Sequence, residues 1–167
     1  MVNNVILLLG SNLGNRLQVI NDAEEEIKKA IGKVIKRSKV YETASWGDTS
    51  LAPFLNQVIE VETELLPQEI MHKILQIEQS LGRKRTHKWE SRVIDIDILF
   101  FENEVITTPE LVIPHPYLHK RRFTLVPLVE IHASKVHPVF QKTCEKLLEE
   151  LTDPLLVTEY KPLFAIK

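Results

Sequence analysis

Five consecutive apolar residues, Val5-Ile6-Leu7-Leu8-Leu9, stop at Gly10. A run that short, with no polar alternation, reads as a central strand buried on both faces. Residues 10–15 form a turn cluster, Gly-Ser-Asn-Leu-Gly-Asn. A helix follows, with Ile20, Ala23, Ile27, Ala30 and Ile31 on one stripe and Asp22, Glu24, Glu25 and Lys28 off it. Gly32 is the expected stop. Residues 34–46, rich in Val, Ile, Tyr and Thr, read as one long strand, and 47–53 as a loop. Residues 54–65 alternate and read as the returning strand of a hairpin. Pro67 opens a second helix, with Ile70, Ile74, Ile77 and Leu81 as its buried stripe and Gly82 at its end. Residues 93–101 are a further strand, closed by a turn at 102–104. The order β-α-β-β-α-β is the ferredoxin-like α+β pattern, an antiparallel-dominated sheet with both helices on one face. A Pro-rich segment at 109–127 and a helix at 141–151 are expected to form a C-terminal helical elaboration. Nothing repeats and nothing reads as a linker, so one domain over 1–167 is expected.

Charge narrows the function classes. Lys and Arg number 21 against 23 Asp and Glu, a net charge of -2, so no basic field points to nucleic acid. The single cysteine, Cys144, excludes an internal disulfide. Residues 1–4 lack the basic start of a signal peptide, and the apolar run at 5–9 is too short to cross a membrane. A cytoplasmic protein with no membrane partner is expected, as a monomer.

The sharpest chemical signal is Arg92-Val93-Ile94-Asp95-Ile96-Asp97-Ile98. Alternate side chains of a strand share a face, which puts Asp95 and Asp97 together, roughly 7 Å apart along the strand, and Ile94, Ile96 and Ile98 on the other side. Two carboxylates on one face require compensation. Magnesium, which takes one or two carboxylates and leaves room for phosphate oxygens, supplies it; a solvent-facing surface or a pair of Arg salt bridges is the alternative. Just upstream, Arg83, Lys84, Arg85, His87, Lys88 and Arg92 crowd around Trp89. A basic loop beside a carboxylate pair suits a polyphosphate, although such a run is also what a solvated loop carries. No Gly-Lys-Ser or Gly-Lys-Thr phosphate loop is present, which excludes the P-loop class. Glu78 sits on the shoulder of its helix stripe, where an edge salt bridge is the plain alternative. His115 lies between Pro114 and Pro116, which restrict its backbone.

These residues resemble the 6-hydroxymethyl-7,8-dihydropterin pyrophosphokinases of folate biosynthesis. The resemblance spans nearly the whole chain. It rests most on residues 88–99, Lys-Trp-Glu-Ser-Arg-Val-Ile-Asp-Ile-Asp-Ile-Leu, and also on residues 9–14, 41–43, 54–56, 77–83, 113–116 and 121–123. It implies a ferredoxin-like fold and transfer of the β,γ-pyrophosphoryl unit of ATP to the pterin hydroxymethyl oxygen, with release of AMP. It further implies that Asp95 and Asp97 hold two magnesium ions, and that Arg83, Trp89 and Arg92 close over the nucleotide. ATP contacts are implied for Glu78, Ile98, His115 and Arg121. Phe54 and Phe123 are the implied rings about the pterin, with Asn56 as its amide partner and Thr43 and Ala44 along its edge. Glu90 stands where the family usually has Gly or Ala, Ala44 replaces a common Pro, and the basic loop is one residue shorter than in some members. From its composition, the segment 84–91 is expected to move and to become ordered over the nucleotide. Two other classes fit the paired aspartates: a different metal-dependent nucleotidyl- or phosphotransferase, and a catalytically silent pterin- or nucleotide-binding module. The co-occurrence of Phe54-x-Asn56 with His115 and Phe123 favours the kinase.

Overall fold

The computed structural model describes residues 1–43, 52–82 and 93–161. Its elements are β1 (Asn3–Ser11), α1 (Arg16–Ala30), β2 (Gly32–Arg37), β3 (Tyr41–Thr43), β4 (Phe54–Thr63), α2 (Pro67–Ser80), β5 (Asp95–Phe101), β6 (Ile106–Thr107), β7 (Val112–Ile113), a 3-10 turn (Leu118–Lys120), α3 (Arg122–His132), α4 (Cys144–Glu149) and β8 (Val157–Glu159). The main sheet runs β5-β1-β4-β3-β8, with β2 also paired to β4, and every pairing is antiparallel. The chain is thus a mixed α/β protein on an antiparallel sheet.

The apolar run of β1 has the expected cause. Val5, Leu7 and Leu9 face a core built with α1 and α2, where Ile20, Ile27, Ile70 and Ile74 meet Leu55, Ile59, Ile96 and Ile98. Ile6 and Leu8 face a second core, where Val58 and Phe100 meet Leu125 and Leu128 of α3 and Cys144 and Leu147 of α4. Each fully buried branched side chain contributes about 1.5–3 kcal/mol, so a two-sided β1 anchors both layers.

Several expectations are corrected. The long strand of 34–46 is two strands, and its last residues lie outside the described ones. Between them Ser38 breaks the ladder: its N–H donates to the Val58 carbonyl at 2.9 Å, and its hydroxyl accepts from the Val58 N–H at 3.0 Å. Gly32 follows the α1 C-cap, Ile31, at the expected stop, and it also starts β2, where a Cβ would lie 1.9 Å from the Glu62 carbonyl oxygen. The Pro-rich segment holds β7, the 3-10 turn and the start of α3. Pro127 lies inside α3 and is buried, so packing on the sheet outweighs its helix-breaking tendency. The helix of 141–151 is only Cys144–Glu149, capped by the Thr143 hydroxyl accepting from the Lys146 N–H at 3.1 Å. The C-terminal elaboration covers the second face of the sheet.

Candidate active site

The site is built outward from Gly10. In register, Gly10 faces Asn56 on one side and Asp95 on the other, so β1 carries a gap between two polar side chains. The gap is required: a Cβ on Gly10 would meet the Asn56 Oδ1 at 2.7 Å and the Phe54 ring at 3.7 Å. Phe54 and Asn56, two apart in β4, therefore share the face that Gly10 opens. Asn56 is only 3% exposed, and its amide nitrogen has no hydrogen-bond partner among the described residues. Such a group costs about 1–3 kcal/mol until something accepts from it.

Asp95 and Asp97 are half-buried on this face, while Ile94, Ile96 and Ile98 are buried on the other. The edge of β5 between them is held by Glu78. This carboxylate, 3% exposed in the last turn of α2, accepts from the Ile96 N–H at 2.9 Å. An acid at the negative end of a helix dipole is unfavourable, and the edge-strand N–H is one compensation the fold supplies.

The Pro-flanked segment docks on β5 through the His115 N–H, which donates to the Leu99 carbonyl at 3.0 Å. That places His115 Nε2 3.9 Å from Asp97 Oδ2. The Tyr117 N–H donates to His115 Nδ1 at 3.1 Å, so the neutral ring carries its proton on Nε2, towards the carboxylates. Burial, aided by the nearby Arg121 charge and opposed by Asp95, lowers the His115 pKa to about 4. The imidazole is thus an uncharged donor at neutral pH. The Arg121 guanidinium lies 5.1 Å from the Tyr117 ring centre and 5.5 Å from that of Phe123, the second residue of α3.

Asp95, Asp97, His115 and Arg121 thus converge at one end of the sheet, beside the face that carries Phe54 and Asn56. Thr43 stands opposite Phe54 in register, with its hydroxyl donating to the Leu156 carbonyl at 2.9 Å. The Ile98 side chain is buried in the far core, leaving only its backbone to reach a ligand at the β5 edge. Ala44, Arg83, Trp89, Arg92 and the segment 84–91 lie outside the described residues. Sequence reasoning missed Tyr117, whose ring packs under Arg121, and the part Gly10 plays. An aromatic two positions after His115 was the available signal for the first; nothing short of the strand register gives the second.

Residues 6–133 match the family model described as 7,8-dihydro-6-hydroxymethylpterin-pyrophosphokinase. The 2-amino-4-hydroxy-6-hydroxymethyldihydropteridine pyrophosphokinase of Aquifex aeolicus is 43% identical over 148 residues, covering 89% of this chain and 92% of that protein. The enzyme of the same name from Bacillus subtilis is 41% identical over 132 residues, 78% of this chain and 79% of its own. Among solved structures, wild-type HPPK-DHPS of Plasmodium falciparum superposes with a TM-score of 0.71 at 18% identity, over 90% of this chain. This chain spans 45% of that longer one, and at such identity the likeness shows the fold alone.

Proposed function

The chain belongs to the 7,8-dihydro-6-hydroxymethylpterin-pyrophosphokinase family, and we propose that its two substrates meet where Asp95 and Asp97 adjoin the face opened by Gly10. It is an ATP-dependent pyrophosphokinase of folate biosynthesis acting on 6-hydroxymethyl-7,8-dihydropterin. The observation that carries the site reading is the convergence of an uncharged His115, Arg121 and the two half-buried aspartates.

The pterin lies against Phe54 and under Phe123, and its amide edge accepts from the buried Asn56 nitrogen. Thr43 and Ala44 border it through their backbone, since the Thr43 hydroxyl is already committed to Leu156. Asp95 and Asp97 offer hard oxygen donors on one face, which fits magnesium, and two ions are the proposed number. When bound, the metal neutralises triphosphate charge and favours ionisation of the attacking hydroxyl. ATP runs along β5: the Ile98 backbone and Glu78 border the nucleotide, His115 Nε2–H donates to a phosphate oxygen, and Arg121 offsets charge on the transferring group. Arg83, Trp89 and Arg92 complete the nucleotide side. No side-chain base is required, because catalysis here is alignment of the hydroxyl with the β-phosphorus together with charge stabilisation.

The ferredoxin-like reading of the fold is supported by the strand order, in which the second strand of that pattern is divided into β2 and β3. The proposal extends to one domain and a cytoplasmic monomer whose partners are the two small-molecule substrates, with neither nucleic acid nor membrane among them. Among the described residues no helix is long and apolar enough to cross a membrane.

Product analysis tests the proposal. AMP should appear only when hydroxymethyl-dihydropterin is added with ATP and magnesium. ADP or free pyrophosphate as the product would overturn it, as would tight pterin binding with no turnover.

A further inference from the structure

α3 begins without a cap of its own. Its N-cap residue, Arg121, has extended backbone, and its side chain makes no capping bond. Helices leave their first N–H groups unsatisfied, and a buried one is costly. Here the missing acceptor comes from 31 residues further along the chain. Asp153, 7% exposed, accepts from the Arg122 N–H through Oδ2 at 2.9 Å and from the Leu155 N–H through Oδ1 at 3.0 Å. Its own carbonyl accepts from Nε and Nη2 of Arg122, each at 3.2 Å. A carboxylate at that end of α3 also complements the helix dipole. The strand that follows, β8, pairs with β3 and sets Val157 opposite Thr43. The tail therefore ties the start of α3 to the strand bearing Thr43, and it lies beyond the residues that the family model matches.

We infer that Asp153 is a positioning residue for the transfer reaction: it caps α3 from a distance, and so fixes the two side chains that flank the capped N–H, Phe123 over the pterin face and Arg121 beside the transferring group. The inference rests on the site proposed above for those two residues. A cap supplied by a distant segment makes the spacing between Phe123 and the β3–β4 edge depend on the tail, which a local Ser or Asp at position 121 would not do.

Asp153→Ala should weaken pterin binding, measured by calorimetry with a non-hydrolysable ATP analogue and magnesium present, by about 10-fold, with kcat falling similarly. KM for ATP should rise less than the pterin dissociation constant, because Arg121 is the one proposed nucleotide residue beside the cap and the β5 residues do not depend on it. Amide exchange at Arg122 should quicken. Asp153→Asn, which keeps one acceptor oxygen of the two that Asp153 uses, should bind pterin about two- to fivefold more weakly than wild type, a measurable loss, and more tightly than Asp153→Ala. If Asp153→Ala fails to fold, Asp153→Asn decides, and wild-type pterin affinity in it overturns the inference. Leu147→Ala, a cavity in the α3–α4 layer, is the control for general destabilisation. Equal loss of pterin affinity in Leu147→Ala and Asp153→Ala at matched thermal midpoints would overturn the positioning role. Phe123→Ala separates this inference from the site it rests on. If Phe123→Ala binds pterin normally, the site reading and this inference fall together. If it binds weakly while Asp153→Ala binds normally, only the role of Asp153 falls.

Discussion

At the scale of single residues, the site depends on what β1 lacks as much as on what β4 and β5 carry. Asp95→Asn and Asp97→Asn should each remove most turnover while leaving the fold intact, since both side chains are half-buried and neither belongs to a core. Loss of one metal ligand costs roughly several kcal/mol of transition-state stabilisation. Turnover close to wild type in either variant, with circular dichroism and thermal midpoint unchanged, would remove the metal role. Gly10→Ala is the complementary case. The added methyl would sit 2.7 Å from Asn56 Oδ1, the end of a side chain with little room to move because it is 3% exposed. Turning that amide aside costs about 1–3 kcal/mol through an off-rotamer or overpacked arrangement. Pterin affinity should therefore fall about 10-fold or more in Gly10→Ala, read by calorimetry, with binding of the ATP analogue nearly unchanged. Equal weakening of both ligands would mean that Gly10 serves the sheet and not the pterin face.

At the scale of elements, the turn between α3 and α4 carries a titration that the sequence does not announce. His137 is 3% exposed, and its Nδ1 accepts from the Val139 and Phe140 N–H groups at 3.1 and 3.2 Å. Burial first, then the neighbouring His119 and Lys135 charges, lower its pKa to about 4. The unfolded ring takes its proton near pH 6.5, so between pH 6.5 and 4 the unfolded state binds a proton that the native ring refuses. Stability is whole above that window and is lost as pH falls through it. His137→Asn keeps an acceptor for the turn and does not titrate. Its thermal midpoint should therefore decline less steeply than that of wild type from pH 7 to 5; parallel declines would exclude His137 as a source. Elements with long regular patterns were legible in the sequence: β1 from its unbroken apolar run, α1 and α2 from their stripes, and β5 from the alternation of Asp and Ile. α3 was not, because Pro127 reads as a breaker until the second sheet face is there to bury it. Nor were β6, β7 and β8, which are two or three residues long and owe their form to their partners. Among the candidate residues, the shared face of Asp95 and Asp97 was legible from period-two geometry. Asp153 was not, since a cap supplied from 31 residues away leaves no local signature beside the helix it serves.

At the scale of the whole molecule, the proposed ligand residues come from segments far apart in the chain, so binding and global stability are linked. A ligand that binds only the folded state stabilises it by about 2.7 kcal/mol at a concentration 100 times its dissociation constant. For a domain of 150–250 residues, 1 kcal/mol moves the thermal midpoint by about 2–4 °C, so each substrate should raise the midpoint by roughly 5–11 °C. The two contributions are separable because most of the proposed nucleotide residues, Asp95, Asp97, Ile98 and His115, lie on β5 and the Pro-flanked segment, whereas the proposed pterin rings stand on β4 and α3. Phe123→Ala should keep the rise produced by the ATP analogue with magnesium and lose most of the further rise produced by adding pterin. Phe54→Ala should do the same from the opposite side, although its ring stands in β4 and the other in α3. Ile74→Ala deletes core between α2 and the far face, where Ile74 is 1% exposed. It should lower the starting midpoint strongly, since such cavities cost about 2–5 kcal/mol, yet leave both ligand-dependent rises in place. Scanning calorimetry of these three variants with the ligands added in turn distinguishes recognition from packing. A pterin-dependent rise that survives in both Phe variants would make the two rings part of the core and would move the pterin to another face of the molecule.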